Sequence, residues 1–225
     1  MLNLIFTEAA LELVPRNILL HPAVRRNAKR RNKPPEETLL DRSLHHYAMD
    51  RLSDAERRGR PDILHFCLLL AMGSPLNNMD KLRVKVNTVK GYSIDINPAT
   101  RPPKDCNRFN ALMEQLLTVG VVPPKGEPLI SLSRKSLPDL VDGLDSGKLV
   151  ALSSHGDPNS FDGVASELIK EGSSTVFIGA YPSGPMSPEV LSLADEVYSV
   201  YPEPLEAWTV TSRMIYSYEQ KLGLE

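Results

Sequence analysis

The sequence predicts an α/β fold, and three observations carry that expectation. In the last third, the strand-like runs Lys148–Ser153, Ser174–Ile178 and Val197–Val200 alternate with helical patterns at Asp162–Lys170 and Glu189–Ala194. Alternation of this kind implies a parallel sheet with helical crossovers and loops gathered at the carboxyl ends of the strands. Further upstream, Leu82, Val84 and Val86 alternate with Arg83, Lys85 and Asn87, the period of a strand with one wet face. Finally, a chain of 225 residues that is 41% hydrophobic and 24% charged is long and apolar enough to bury a real core.

The elements follow in order. Leu2 to Phe6 is a short buried strand. From Glu8 to Val14 apolar residues fall at helical spacing and Pro15 ends the run, which predicts a helix. Pro22 suits a first helical turn, so the stretch holding Arg25, Arg26, Lys29, Arg30, Arg31 and Lys33 predicts a short basic helix before Pro34-Pro35. Leu39 to Leu52 predicts another helix, and SDAERRGR after it a polar loop. Pro61-Asp62 opens a helix well, because proline fits the first turn and a carboxylate favours the positive helix end. That helix, ILHFCLLLAM, is apolar nearly all round and is expected to be central and buried until Gly73-Ser74-Pro75 stops it. Lys90-Gly91 turns the chain from the alternating strand into Tyr92–Ile96, giving a hairpin. A helix is expected from Asn107 to Val119, and a last one from Leu205 to Leu222. No internal repeat is present. The chain reads as one domain over residues 1–225, with a basic helical insertion at about 20–60 and the ligand loops within 148–225.

Composition excludes several classes. The longest apolar run, Ile63 to Met72, contains a histidine and is half the length of a membrane span. The opening MLNLIFTEAALELVP has no basic region and meets Glu8 and Glu12 early, unlike a secretory signal. Cys67 and Cys106 lie far apart and form no CxxC pair, so a reducing compartment is expected and a disulfide is not. The five histidines show neither HExxH nor Cys/His zinc spacing, so no metal is expected. Neither GxGxxG after a strand nor GxxxxGK[ST] occurs, which argues against a dinucleotide fold and a P-loop. Ser153-Ser154-His155 lacks the GxSxG elbow, and no carboxylate pair is nominated for glycosidic chemistry.

The formal net charge of −2 speaks against a nucleic-acid partner until it is divided. Residues 1–108 carry 19 Lys and Arg against 12 Asp and Glu, whereas residues 109–225 carry 7 against 16. An excess of +7 in one half and −9 in the other points to a polyanion-binding face.

Two groups of residues could carry chemistry. The three strands of the last third empty into LSSHGDP, IGAYPSGP and SVYPEPL, and such a rim is where ligands bind in open α/β sheets. Gly179 and Gly184 bracket the second loop and permit close backbone approach. The second group is basic. Arg101, Lys104 and Arg108 fall just before, or in, the first turn of a helix, where cations oppose the helix dipole unless an anion such as phosphate is recruited. Arg60 precedes Pro61-Asp62, where the carboxylate could hold the guanidinium rigid for ligand contact. Each has a plainer reading, as turn-forming glycines or a solvated charged face. A reaction governed by alignment, such as methyl transfer from a sulfonium, would explain the lack of acid–base machinery.

The segments GRPDILHFCLLLAMGSPLN, KLRVKVNT, IDINPATRPPKDCNRFNALMEQLL and VFIGAYPSGPMS, in this order, resemble the ribosome-biogenesis family of pseudouridine N1-methyltransferases, the nucleolar essential protein family. The resemblance covers essentially the whole chain. It implies a SPOUT-type α/β fold with a C-terminal trefoil knot, a homodimer, and S-adenosylmethionine bound by the knot loops. The implied substrate is a pseudouridine in a loop of small-subunit ribosomal RNA, methylated at N1. The family's RNA-contacting positions fall on Arg60, Arg101, Lys104 and Arg108, with Asp62 steadying Arg60. Its cofactor positions fall on Ser153, Gly179, Gly184, Val200, Tyr201, Pro202, Glu203, Pro204 and Leu205. Glu203-Pro204 departs from the eukaryotic pattern, so the resemblance assigns backbone rather than side-chain roles there. The length resembles archaeal members, which implies the cytoplasm. No general base is nominated. The alternatives are a non-catalytic RNA-binding assembly factor and a transfer-RNA methyltransferase of the same class.

Overall fold

β1 (Leu2–Ala9) is buried almost throughout, as expected of a strand covered on both faces. It is followed by α1 (Pro22–Arg31), α2 (Arg42–Met49), α3 (Pro61–Gly73), the single turn α4 (Pro75–Asn78), β2 (Leu82–Thr88) and β3 (Ser93–Ile96). α5 (Cys106–Val119), β4 (Val121–Val122), β5 (Ile130–Ser133) and α6 (Leu137–Asp142) come next. The last third contains β6 (Lys148–Pro158), α7 (Phe161–Leu168), β7 (Ser174–Gly179), α8 (Pro188–Leu191), β8 (Glu196–Ser199) and α9 (Ala207–Leu222). The structure is a computed structural model and describes residues 1–144 and 147–224.

All eight of these strands form one sheet in the order β4-β5-β3-β2-β1-β7-β6-β8. The run β2-β1-β7-β6-β8 is parallel, and β3, β5 and β4 extend it antiparallel. Leu4 and Phe6 face one layer, with Ile63, Leu68, Phe109, Val164 and Met214. Ile5 faces the other, with Leu137, Leu149, Phe177 and Val190. Period-two burial on β1 thus divides two cores, as the alternation of Cβ directions requires. A third cluster, around Val24, Leu40 and Met49, holds α1 and α2 together beyond the sheet.

Several expectations need correction. Glu8 to Val14 is not helical. β1 continues to Ala9, and the segment after it stays extended because its backbone is bonded laterally. Ala10 N–H donates to the Ala180 carbonyl, Leu40 N–H to Glu12, and Val14 N–H to Thr38. Those partners lie far away in sequence and outweigh the local helical spacing. α3 is central but not buried all round, since Phe66 and Leu70 are 48% and 39% exposed. SDAERRGR is not purely a solvated loop: Arg58 is buried and forks onto buried Glu12 at 2.6 and 2.7 Å. β4, β5 and α6 were not anticipated. β6 runs to Pro158, past the expected end at Ser153. Among the described residues, no helix is long and apolar enough to cross a membrane. Cys67, buried, and Cys106, exposed, are both free.

Candidate cofactor cavity and nucleic-acid interface

β6, β7 and β8 run parallel, so the loops leaving their carboxyl ends meet at one rim. β6 pairs with β8 up to Leu152, loses register, and pairs again at Asp157. The intervening Ser153, Ser154 and His155 are turned toward the rim. They join Gly179 and Tyr181–Met186 after β7, and Ser199–Tyr201 and Glu203–Ala207 between β8 and α9, around a cavity of about 290 Å³. Ile63 of α3 and Val210 of α9 complete its wall. Of the residues expected there, Ser153, Gly179, Gly184, Val200, Tyr201, Glu203, Pro204 and Leu205 all line the cavity. Pro202 does not form part of the wall.

The two glycines of this rim serve different physical needs. A Cβ on Gly179 would stand 2.7 Å from the Tyr181 ring, so the chain can double back only where a side chain is missing. Gly184 has φ +89°, a conformation that other residues adopt only under strain.

A brace not foreseen in the sequence fixes the second loop. Arg57 Nη1 donates to the Pro185 carbonyl at 2.6 Å, and Nη2 donates to Glu8 Oε2 at 3.2 Å. The same Glu8 oxygen accepts from Ser187 N–H at 3.2 Å. Glu8 reaches both because it has φ +51° where β1 loses register with β2. The Arg57 guanidinium also covers the Tyr181 ring. Burial, and next the Glu8 charge, push the Tyr181 phenol up, so it stays protonated at neutral pH. Neither Arg57 nor Glu8 has a sequence motif; their partners in the loop lie 128 and 179 residues away.

Of the basic residues, Arg60 stands at this rim, whereas Arg101 lies toward the opposite end of α3, with its Nη2 3.5 Å from Asn78 Oδ1. Arg60 Nε donates to Asp62 Oδ1 at 2.8 Å and Nη2 to Oδ2 at 2.8 Å, a fork that fixes the guanidinium plane. The hydrogen bond to Asp62 outweighs desolvation and raises the Arg60 pKa. Asp62 sits in the first turn of α3, where the helix dipole favours its charge. Both side chains are about one-third exposed. The next residue, Ile63, already lines the cavity.

Arg101, Lys104 and Arg108 are exposed at the start of α5. The expected conflict with the helix dipole is relieved locally, because Asp105 caps the helix and its Oδ1 accepts from Arg108 N–H at 2.9 Å. Asp105 was a readable cap signal that the basic residues around it obscured. Arg101 Nη1 donates to the Pro98 and Thr100 carbonyls at 3.0 and 2.9 Å, which orders its side chain. Lys104 and Arg108 side chains have no partner among the described residues. Buried His65 ties this loop to α3: its ring stacks on Phe109 with centroids 4.3 Å apart, and its Nε2–H donates to the Pro103 carbonyl at 2.6 Å. Cys106 reports how close the parts lie, since burial and then the charges of Asp41, Asp62 and Asp105 push its thiol up.

The cavity wall sets apolar Ile63, Leu152, Ile178 and Leu205 beside polar Ser153, His155 and Glu203, with the Arg60–Asp62 pair at its border. Among the described residues, no group of His, Cys, Asp and Glu could hold a metal. The model of the EMG1/NEP1 methyltransferase family matches residues 4–219. The ribosomal RNA small subunit methyltransferase Nep1 of Staphylothermus marinus is 42% identical over 219 residues, 97% of this chain and 95% of that protein. Its counterpart in Pyrobaculum neutrophilum is 44% identical over 222 residues, 98% and 99% of the two chains. The crystal structure of Archaeoglobus fulgidus Nep1 bound to S-adenosylhomocysteine superposes with a TM-score of 0.87 at 38% identity, covering 98% of each chain. With a family model spanning nearly its whole length and full-length relatives above 40% identity, the chain belongs to the EMG1/NEP1 methyltransferase family.

Proposed function

We propose that the protein methylates N1 of a pseudouridine in small-subunit ribosomal RNA, using S-adenosylmethionine, during assembly of the small subunit. One observation carries the reading: Arg60 and Asp62 immediately precede Ile63, which lines the cavity, so the RNA grip and the cofactor cavity meet on the first turn of α3. The relative of known structure was solved with S-adenosylhomocysteine, the product of such a donor.

The residues present fit that donor. Gly179 lets the Tyr181 ring fold back against the strand end, and the wall offers apolar Leu152, Ile178 and Leu205 beside main-chain groups of stiff, proline-rich loops. Ser153, Gly179, Gly184 and Val200 to Leu205 would hold it. When bound, S-adenosylmethionine supplies an electrophilic methyl whose leaving group departs neutral. The protein therefore needs no acid for the leaving group; the N1–H bond breaks as the N1–methyl bond forms, its proton passing to water, and the protein's work is alignment. Arg60, locked in plane by Asp62, holds the RNA beside the cavity mouth, and Arg101, Lys104 and Arg108 grip phosphates from the adjoining edge. The target base must leave its stack to enter the cavity, which favours a hairpin loop over a duplex.

The C-terminal trefoil knot, the homodimer and the cytoplasmic location of archaeal members belong to this reading. Half-exposed Phe66, set edge-on to Trp208 at 5.4 Å, supports a self-association face on α3 and α9.

The test is transfer of labelled methyl from S-adenosylmethionine to an rRNA hairpin containing pseudouridine, beside its uridine counterpart and a bulk transfer-RNA competitor. Label on the pseudouridine hairpin alone is the expected result. No transfer by folded protein would leave a non-catalytic assembly factor, and effective competition by transfer RNA would move the substrate to that class.

A further inference from the structure

α1 carries six cations within or just after it, and they divide into two sets. Arg31 pairs with Glu114 of α5, and Lys33 Nζ donates to the same carboxylate at 2.7 Å. Glu114 is buried and also accepts from Leu39 N–H at 3.0 Å. These two cations are structural: they anchor the end of α1 to α5.

Arg25, Arg26, Lys29 and Arg30 are different. All four are exposed, and none is paired with a carboxylate among the described residues. At about 100° per residue they cover one outward arc, while Val24, Asn27 and Ala28 face inward. Asn27 contacts buried His45 at 3.2 Å and thereby fixes the rotation of the helix. Lys29 and Arg30 lie in the last turn, where the helix dipole favours cations; Arg25 and Arg26 lie in the first half, where it does not. The dipole, and a 3.2 Å bond from Arg30 Nη2 to Asn27 Oδ1, account locally for Lys29 and Arg30, but nothing in the helix accounts for Arg25 and Arg26.

Their position does. The anchor Glu114 lies six residues beyond Arg108 on α5, about 9 Å along the helix. Asp41 caps α2, on which α1 packs, and the next residue, Arg42, donates its N–H to the carbonyl of Gly59, the neighbour of Arg60, at 2.8 Å. The stripe is therefore rigidly joined to the border of the proposed RNA site. We infer that Arg25, Arg26 and Lys29, with Arg30, form a second phosphate-binding surface, which takes the RNA stem flanking the target loop. This inference rests on the proposed rRNA substrate and extends it outward from the reacting base.

The test uses two labelled pseudouridine hairpins with the same loop, one with a minimal stem and one with the stem lengthened by a helical turn. Fluorescence anisotropy across a salt series reads the affinity. The wild-type protein is expected to bind the long hairpin more tightly. The triple variant R25A/R26A/K29A is expected to lose about tenfold on the long hairpin, with its salt slope reduced by roughly two to three. It should bind the short hairpin, and methylate it at saturation, within about twofold of wild type. The charge-conserving R25K/R26K variant should bind like wild type, because phosphate contacts of this kind need charge rather than a guanidinium fork. A melting temperature and S-adenosylhomocysteine affinity like wild type would show that the triple variant is folded. Unchanged slope and affinity on the long hairpin would overturn the inference, as would equal losses on both hairpins. A wild-type protein that methylates neither hairpin would instead sink the reading of function beneath it.

Discussion

The Arg57 guanidinium lies 3.9 Å from the centroid of the Tyr181 ring, while its terminal nitrogens hold Glu8 and the Pro185 carbonyl. One side chain thus connects the end of β1 to the loop between β7 and α8. Arg57→Ala is expected to weaken S-adenosylhomocysteine binding about tenfold by isothermal titration calorimetry, because the loop loses charge-assisted hydrogen bonds and a cation–π cover together. Arg57→Lys should recover little, since an ammonium cannot form the fork and stack at once. Affinity unchanged in both variants would mean that the loop is held by its prolines alone.

Asp62 tests the grip rather than the cavity. In Asp62→Asn the fork on Arg60 loses its charge, and the guanidinium is freed to sample other rotamers. Methyl transfer to the pseudouridine hairpin is expected to fall about tenfold or more in kcat/KM. Cofactor affinity should stay within about twofold, and a parallel loss of both would place Asp62 in the fold instead.

Arg101 and Arg108 act as separate phosphate contacts in this scheme. Arg101→Ala and Arg108→Ala should each weaken RNA binding and lower the salt slope by roughly one. Cofactor binding should survive both, as neither side chain lines the cavity. Filter binding at several salt concentrations measures the slopes directly.

His45 gives the fold a defined acid limit. It is fully buried, and burial holds its pKa below the ordinary imidazole value, more strongly than the nearby Asp41 charge raises it. Its Nδ1 accepts from Asp41 N–H at 3.1 Å, so the ring must shed that bond to take a second proton. The unfolded chain therefore binds the proton more readily than the native one, and stability rises with pH through this window. The contribution is complete above about pH 6.5 and declines as pH falls toward the depressed native value. Melting temperature should drop from pH 7 to pH 5, and His45→Gln should show a shallower drop. An equal slope in both proteins would assign the acid limit to other groups.

What the sequence reveals here depends on the reach of the forces involved. β2 and β3, the three strands of the last third, α5 and α9 were legible because period and punctuation act within a few residues. β4 and β5 escaped because they are two and four residues long and largely half-buried, so no alternation builds up. Glu8 to Val14 misled for the opposite reason: the local pattern was helical, but Ala180, Thr38 and Leu40 supply extended partners from elsewhere. At the site, Gly179, Gly184 and Arg60-Pro61-Asp62 stood out through residue type and spacing. Arg57 and Glu8 did not, because a brace made across 49 and 128 residues leaves no local trace.

The place of β1 between β2 and β7 has a consequence for how the protein is made. Residues 2–9 emerge well before residues 174–179, and one flank stays bare until those follow. At roughly 5 to 20 residues per second, that wait is on the order of ten to thirty seconds. For that time an apolar, buried-type strand presents an open edge, the kind of surface chaperones cover and aggregates recruit. The same arrangement means that the basic half cannot be cut from the acidic half as a free-standing RNA binder. The charge divide at residue 108 falls within α5, and a fragment ending there would lack β7, the strand that pairs with the second edge of β1.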